Sequence, residues 1–279
     1  MTKVHIVVDS IAQCPPELFA QHENLYKVPL RVALGDTEWR EDEISTTELF
    51  RREKETGLPI KTSQPSPGDW LQVLQPILDA GDEVVLITVS GGLSGTVQGA
   101  RSAAAMLAKD RIFVVDSGTA SIGEAYLVDV ALKMADDGVG AREIAEHLAA
   151  RAAATHTFLV PDTLEYLHKG GRIGGAAALF GSILQIRPVV YLVDGKVAVL
   201  DKVRTKQRAI KRMLAEVAKY DAFEYIGVGH IDAPEEGQAL LEEVKLLFPG
   251  VPLKTADVGA VVGAHLGPGL VGIIFQERM

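Results

Sequence analysis

Two hydroxyl side chains lie in a glycine-rich loop that follows a strongly apolar segment of the sequence. The segment Val84–Val89 has the length of a buried strand, and the loop Ser90–Thr96 contains three glycines before a helical pattern begins. Glycines let a ligand approach the backbone closely, and the N-terminus of a helix favours an anion. Ser94, Gly95 and Thr96 are therefore candidates to bind a carboxylate or a phosphate; alternatively, Ser94 or Thr96 only caps the helix.

A second cluster of hydroxyl side chains occupies Lys61–Pro67, where Thr62 and Ser63 are adjacent. Prolines on both sides of Ser66 stiffen this segment and remove competing backbone donors. A rigid loop of this kind can orient a carboxylate or a phosphate, or it is only the turn that leads into the next helix.

His265 lies in the glycine-rich segment Gly263–Gly269, between two apolar segments that we expect to be strands. Flanking glycines would expose the imidazole and allow tight turns. Because the pKa of histidine lies near neutrality, the side chain could be protonated next to an anion.

Two Asp-Ser pairs each end a predicted strand. They are Asp9-Ser10 and Asp116-Ser117, and we expect both at the sheet edge that carries Ser94. They either contribute to a site there or form turns and caps.

Several familiar catalytic motifs are missing. The loop after Val89 lacks the Gly-Lys-Ser/Thr of a Walker phosphate loop, and Gly-Leu-Ser-Gly-Thr is not a Gly-x-Ser-x-Gly nucleophile elbow. The single cysteine, Cys14, allows neither an intrachain disulfide nor a cysteine-based metal site, and the seven histidines show no His-Glu-x-x-His spacing. The sequence therefore predicts no metal and no cofactor.

The elements that must position these residues alternate between short apolar strands and amphipathic helices. In the first half, predicted strands at Val4–Val8, Val28–Ala33, Val84–Val89 and Ile112–Val115 alternate with helices, which indicates a mostly parallel sheet covered on both faces. In the second half, two strand-like runs flank the turn dipeptide Asp194-Gly195, which predicts a hairpin. An Ala/Leu helix is predicted to run to about Leu184. We expect an α/β fold with two domains, at residues 1–156 and 157–279, the second with a mixed, partly antiparallel sheet.

The charge is unevenly distributed. Of 279 residues, 28 are Lys or Arg and 37 are Asp or Glu, a net charge of −9. Residues 165–215 contain ten Lys or Arg and three Asp or Glu, a local charge of +7, whereas the other 228 residues carry −16. An acidic chain argues against general nucleic-acid binding, and a start without a signal-peptide pattern leads us to expect a cytoplasmic protein. The basic region needs a separate explanation.

Taken together, the motifs resemble the DegV family of fatty-acid-binding proteins. The blocks that carry the resemblance occur in the family's order and span nearly the whole chain; they are Val8–Ser10, Thr62–Ser66, Gly92–Thr96, Asp116-Ser117, Asp162–Leu167, Gly170–Gly174, Lys202–Lys206 and Ala264–Gly269. Two departures concern the details of the pocket: Ile11 stands where a small hydroxyl residue is common, and Ser90-Gly91-Gly92 replaces the more usual Ser-Ser-Gly.

The resemblance implies that two α/β domains hold one long-chain fatty acid, such as palmitate, stearate or oleate. Thr62 and Ser94 would bond the carboxylate with His265 close by, supported by Ser63 and Ser117. A separate ATP-binding fatty acid kinase subunit would convert the carboxylate into an acyl phosphate, and this chain would be a carrier, not an enzyme. Two basic residues of the region 165–215 would face that kinase, namely Arg172 and Arg204. We expect no nucleic-acid partner and leave transient membrane contact open.

Two other functions remain open at this point. One is a serine hydrolase of small esters that uses Ser94 and His265 with Asp9 or Asp116. The other is a small-molecule kinase subunit of the dihydroxyacetone kinase type, which would require a histidine able to bond covalently to a carbonyl substrate.

Overall fold

Four parallel strands in the first half form a sheet whose spatial order differs from the chain order. We analysed a computed structural model that describes residues 2–107, 110–179 and 186–279. We call this sheet A, and its strands are β1 (Val4–Asp9), β2 (Leu25–Val28), β6 (Glu83–Thr88) and β7 (Ile112–Asp116). They stand in the order β2-β1-β6-β7. The chain adds β2 on one side of β1 and then adds β6 and β7 on the other side, so the direction of strand addition reverses between β1 and β6. In open α/β sheets a ligand site forms at such a switch point, outside the carboxyl ends of the strands.

Helices cover both faces of sheet A because its strands are apolar on both sides. The helices α3 (Pro67–Asp79) and α4 (Thr96–Met106) pack on one face, whereas α5 (Ile122–Asp136) and α6 (Ala141–Ala153) pack on the other. Two separate apolar clusters result, one on each face. The prediction of a parallel sheet covered on both faces is confirmed.

A small antiparallel sheet, sheet B, was not predicted. The expected strand Val28–Ala33 is wrong as a single element, because β2 ends at Val28 and a new strand, β3, covers Arg31–Leu34. Pro29 has no N–H to continue the ladder, and the chain leaves sheet A there. Sheet B has the order β4-β3-β5; its other strands are β4 (Thr37–Arg40) and β5 (Ile60–Ser63).

The second half forms a six-stranded mixed sheet, sheet C, in the order β10-β9-β8-β13-β11-β12. Its strands are β8 (Thr155–Val160), β9 (Arg187–Val193), β10 (Lys196–Val203), β11 (Phe223–Ile231), β12 (Leu253–Asp257) and β13 (Leu270–Glu277). The predicted hairpin is confirmed as β9–β10, and Asp194 and Gly195 both have the positive φ that a two-residue turn requires. The domain boundary that we expect between residues 156 and 157 falls inside β8.

Helices α8 (Lys206–Val217) and α9 (Pro234–Leu247) pack on one face of sheet C. Four shorter or separate helices complete the α-helices of the described residues: α1 (Pro16–Gln21), α2 (Thr46–Thr56), α7 (Glu165–Lys169) and α10 (Ala260–Leu266). The predicted Ala/Leu helix is described only as a 3-10 helix at Gly174–Leu179, and the remainder of that prediction lies outside the described residues. No helix in the described ranges has both the length and the apolar character needed to cross a membrane.

Candidate functional site

A cavity of about 380 Å³ lies between the carboxyl edge of sheet A and the face of sheet C opposite α8 and α9. Most of its wall is aliphatic. The apolar side chains on the wall are Ile11, Leu30, Val89, Leu93, Ala120, Ile122, Leu159, Leu167, Leu192, Val197, Val258, Val261, Val262, Leu266, Leu270 and Ile274. The cavity is thus built by both halves of the chain at the switch point of sheet A.

Thr62 and His265 meet at one end of this cavity. Thr62 is half-buried on β5, and its Oγ1 lies 2.8 Å from Nε2 of His265. Strands flank His265 as predicted, β12 before it and β13 after it, but the residue itself lies in a helix that was not predicted, in the last turn of α10. Gly267 ends that helix with a φ of 77°, so the flanking glycines delimit a short helix that packs on β3 and β5.

Ser94 and Thr96 form a second hydroxyl pair at the start of α4. Their oxygens lie 2.8 Å apart, and Ser94 and Gly95 line the cavity whereas Thr96 is fully buried behind them. The N–H of Thr96 donates to Ser94 Oγ at 3.3 Å, and Gly95 packs against Gln64, so the start of α4 lies close to the segment that carries Thr62. A helix N-terminus favours negative charge.

A positive charge reaches the cavity wall through Arg172, which we expected to face a partner protein. Its Nε donates a hydrogen bond to the carbonyl of Leu93 at 3.1 Å, and Nη1 donates to the carbonyl of Gly170 at 2.6 Å. Both bonds hold the half-buried guanidinium beside the Ser94 loop. Arg204, in contrast, is exposed on the surface.

Burial favours the neutral form of the His265 imidazole, and its protonation next to a bound anion stays a prediction. Burial lowers the pKa of His265 to about 4, with a smaller contribution from the charge of Arg172. Nδ1 makes no hydrogen bond within the described residues and packs against Gly170, where a Cβ would lie 2.3 Å away. A side chain at residue 170 would therefore displace the imidazole.

The two predicted Asp-Ser pairs position the loop after β6 and do not line the cavity. Asp9 accepts hydrogen bonds from the N–H groups of Val89 and Ile11, at 2.8 and 2.9 Å. Asp116 accepts from the N–H of Gly91. Ser117 is fully buried, and its hydroxyl donates to the carbonyl of Thr119. Of the two supporting residues that we predicted, only the exposed Ser63 borders the cavity.

The tip of the β9–β10 hairpin closes one side of the cavity, a contact that the sequence did not reveal. The hydroxyl of Ser90 donates to the carbonyl of Gly195 at 2.8 Å, and Gly92 packs so closely that a Cβ there would lie 2.4 Å from the same oxygen. This docking brings Leu192 and Val197 of the hairpin onto the cavity wall.

The arrangement does not form the catalytic triad of a serine hydrolase. Within the described residues, Ser94 pairs with Thr96 and His265 pairs with Thr62. Nδ1 of His265, which a triad carboxylate would have to hold, has no partner there. No group of three His, Cys, Asp or Glu residues in the described part of the chain could hold a metal ion.

Three further polar residues on the wall were not singled out from the sequence. Gln64 lies next to Gly95, and Ser121 and Thr157 lie elsewhere on the wall. Gln64 belongs to the segment Lys61–Pro67 that we singled out for its hydroxyl side chains. Its position next to Thr62 and Ser63 could therefore have identified it as a site residue. Ser121 and Thr157 carry no local pattern that could have found them.

Comparison with known proteins identifies the family. The model of the DegV family, described as uncharacterised proteins, matches residues 3–278. A DegV domain-containing protein of Streptomyces coelicolor is 36% identical over 99% of this chain and 99% of its own length. The structure of a fatty-acid-binding DegV family protein from Thermus thermophilus is 32% identical and superimposes with a TM-score of 0.89 over 99% of this chain and 100% of that one.

A second solved structure agrees with this assignment. A stearic acid-binding protein from Eubacterium ventriosum is 28% identical and superimposes with a TM-score of 0.88, covering 99% of this chain and 98% of the other. The matched region includes both halves of the chain and the cavity between them. The chain therefore belongs to the DegV family.

Proposed function

We propose that this protein binds a long-chain fatty acid in the cavity and presents its carboxylate to a separate ATP-binding kinase subunit. The observation that carries the proposal is the division of the cavity wall: Thr62, Ser94, His265 and Arg172 gather at one end, and aliphatic side chains form most of the rest. Fatty acid binding by the related proteins from Thermus thermophilus and Eubacterium ventriosum supports this ligand class.

The apolar part of the cavity supplies the affinity. Its volume of about 380 Å³ is within the usual range of small-molecule sites. Each buried methylene contributes about 0.8 kcal/mol, so a sixteen-carbon chain offers on the order of 10 kcal/mol before the cost of ordering it. Hydrocarbon burial is therefore the main source of affinity in the proposed complex.

The polar end compensates for the loss of water around the carboxylate, which is otherwise costly to bury. With neutral His265 donating its Nε2 proton to Thr62 Oγ1, the hydroxyl proton of Thr62 is available to the ligand. Thr96 can donate to Ser94 in the same way, which leaves the Ser94 proton for the second carboxylate oxygen. Arg172 supplies the opposite charge, and such charge-assisted hydrogen bonds are the strong ones.

The carboxylate end is the one that a partner can reach, because Ser63, Gln64 and Gly95 are exposed there. A carboxylate oxygen of the bound acid would attack the γ-phosphorus of ATP, giving an acyl phosphate and ADP. ATP and its metal would be held by the partner, so this chain catalyses no turnover by itself. The exposed Arg204 and Arg208 belong to the surface that we assign to this partner.

Denaturing mass spectrometry of the purified protein tests the ligand, and a coupled assay tests the site. We expect about one fatty acid per chain, or uptake of palmitate or oleate by protein stripped of lipid. We also expect Thr62→Ala and Ser94→Ala to weaken acyl phosphate formation with a fatty acid kinase, whereas the exposed Thr37→Ala and Ser102→Ala should not. A cavity that takes up no fatty acid would overturn the proposal, and unchanged activity of both site variants would overturn the carboxylate assignment.

A further inference from the structure

A second group of hydroxyl side chains lines the cavity on elements other than those that carry Thr62, Ser94 and His265. Ser121 precedes α5 and Thr157 lies on β8; they are 3% and 5% exposed, and both border the cavity. One apolar cluster extends from Ile60, two residues before Thr62, to Ala120, the neighbour of Ser121. Residues next to both polar groups therefore pack against the same apolar cluster.

Ser121 occupies a helix N-cap position without capping the helix. Ser45, Ser66 and Thr205 precede other helices, and each accepts a hydrogen bond from the N–H three residues later, as N-cap hydroxyls normally do. Ser121 accepts no such bond from α5. Its Oγ is buried and makes no hydrogen bond to any described residue, and the residue borders the cavity.

The backbone of Ser121 is strained, with φ of 53° and ψ of −124°. Glycine would adopt this conformation at little cost, whereas a residue with a side chain is held there only by its surroundings. A serine that replaces the easier glycine and then does not cap the helix points to a use for its hydroxyl in the cavity.

Thr157 adds a second hydroxyl donor to this part of the wall. Its Oγ1 lies 2.8 Å from Oγ1 of Thr119, and both residues are buried. Two hydroxyls carry two protons, and their mutual hydrogen bond uses one of them. When Thr119 donates, the proton of Thr157 is directed to a further acceptor.

We infer that Ser121 and Thr157 form a subsite for an oxygen substituent in the acyl tail, so that the preferred ligands are long-chain fatty acids with a hydroxyl or keto group within the chain. This inference rests on the proposed function. A plain hydrocarbon tail would leave the Ser121 hydroxyl buried and unpaired, which is unfavourable. An oxygen on the chain accepts from Ser121, and a hydroxyl substituent can also donate.

Competition binding with a fluorescent fatty acid tests the subsite, using octadecanoic acid and its 7-, 10- and 12-hydroxy isomers. We expect at least one hydroxy isomer to bind about five- to tenfold more tightly than octadecanoic acid. Ser121→Ala and Ser121→Gly should both abolish that preference, because both remove the hydroxyl. Only the glycine variant also relieves the backbone strain at residue 121. Thr157→Val should reduce it, and Ser102→Ala on the exposed face of α4 should retain it.

The outcomes separate this inference from the proposed function. If octadecanoic acid binds at least as well as every hydroxy isomer to the wild-type protein, the subsite is overturned and fatty acid binding stands. If no acid of the series binds, fatty acid binding itself fails. A preference that survives in both Ser121 variants would place the selective contact elsewhere and also overturn the assignment.

Discussion

The hydroxyl of Thr62 and the imidazole of His265 form a 2.8 Å hydrogen bond between residues 203 positions apart in the chain. The bond joins sheet B to α10, so the Thr62–His265 pair on the cavity wall forms only when these two elements are docked. In the proposed complex, a neutral imidazole with its proton on Nε2 donates to Thr62 Oγ1 and leaves the hydroxyl proton of Thr62 to the ligand.

His265→Ala should weaken fatty acid binding by removing the hydrogen bond that orients Thr62. One hydrogen bond of this kind contributes about 0.5–1.5 kcal/mol, so we expect the dissociation constant to rise by a factor of roughly 2 to 13. Displacement of a fluorescent fatty acid measures the change, with the half-buried His22→Ala as the control. Equal affinities of wild type and His265→Ala would contradict the role given to the imidazole.

The protein stripped of lipid should lose stability through His265 as the pH falls. Burial lowers the pKa of His265 to about 4, against about 6.5 in the unfolded chain. Between these values the unfolded chain binds a proton that the folded protein does not, so this contribution to stability is complete above pH 6.5 and falls as the pH decreases towards 4. From pH 7.5 to pH 5 the loss is about 2 kcal/mol.

Urea unfolding of wild type and His265→Gln at pH 7.5 and pH 5 checks this expectation. The glutamine variant lacks the titrating group. Between pH 7.5 and pH 5 its free energy of unfolding should therefore fall by about 2 kcal/mol less than that of the wild-type protein. Other groups titrate equally in both proteins and cancel in the comparison. The same pH dependence for both proteins would exclude a buried, neutral His265.

Glu124 should have the opposite effect, because it is a buried acid. Burial raises its pKa well above the ordinary value, and the negative charge of Asp9 raises it further. The folded protein therefore retains a proton that the unfolded chain releases above about pH 4.5, so stability decreases as the pH rises from there towards the folded pKa.

Glu124→Gln replaces the neutral acid with a neutral amide and removes this dependence. We expect the variant to be more stable than wild type by about 1–3 kcal/mol at pH 8 and the difference to shrink towards pH 5. Thermal unfolding at both pH values measures it, with the exposed Glu146→Gln on α6 as the control. A difference that does not vary with pH would contradict a protonated Glu124.

Gly92→Ala should push the β9–β10 hairpin away from the cavity. A Cβ at residue 92 would lie 2.4 Å from the carbonyl oxygen of Gly195, a backbone atom that can move only with the hairpin. Overpacking of this kind costs about 1–3 kcal/mol, and we expect faster dissociation of a bound fatty acid. Gly68→Ala, where the nearest atom is 3.6 Å away, is the matched control. Identical dissociation rates for the two variants would show that the hairpin tip does not retain the ligand.

Reversal of charge at Arg204 and Arg208 should weaken coupling to a fatty acid kinase without releasing the lipid. Both side chains are exposed, and neither forms an ion pair with a carboxylate in the described part of the chain. Arg204→Glu with Arg208→Glu should slow acyl phosphate formation while mass spectrometry still finds bound fatty acid. An unchanged rate would show that the two arginines are solvent-exposed charges without a role in coupling to the kinase.

Local sequence patterns were sufficient for the loops and for most strands. The glycines before Ser94, the prolines around Ser66 and the dipeptide Asp194-Gly195 act within a few residues, so their consequences could be predicted. Errors occurred where local signals conflict with packing. Val28–Ala33 has the pattern of one strand, but Pro29 divides it between two sheets, and α10 has only seven residues, too few for a helical period to be distinguished.

The sequence by itself determined the α/β class, the hairpin and the loop that carries Ser94, since each depends on neighbouring residues, whereas Thr62, which we expected in a loop, lies on the strand β5. Only the tertiary structure decided that Thr62 pairs with His265, that Arg172 lies on the cavity wall, and that Ser121, whose hydroxyl has no partner among the described residues, borders the cavity. These relationships depend on how sheet B, α10 and sheet C dock against the edge of sheet A. The docking depends on the close packing of many apolar side chains from distant parts of the chain, and no local spacing in the sequence predicts it.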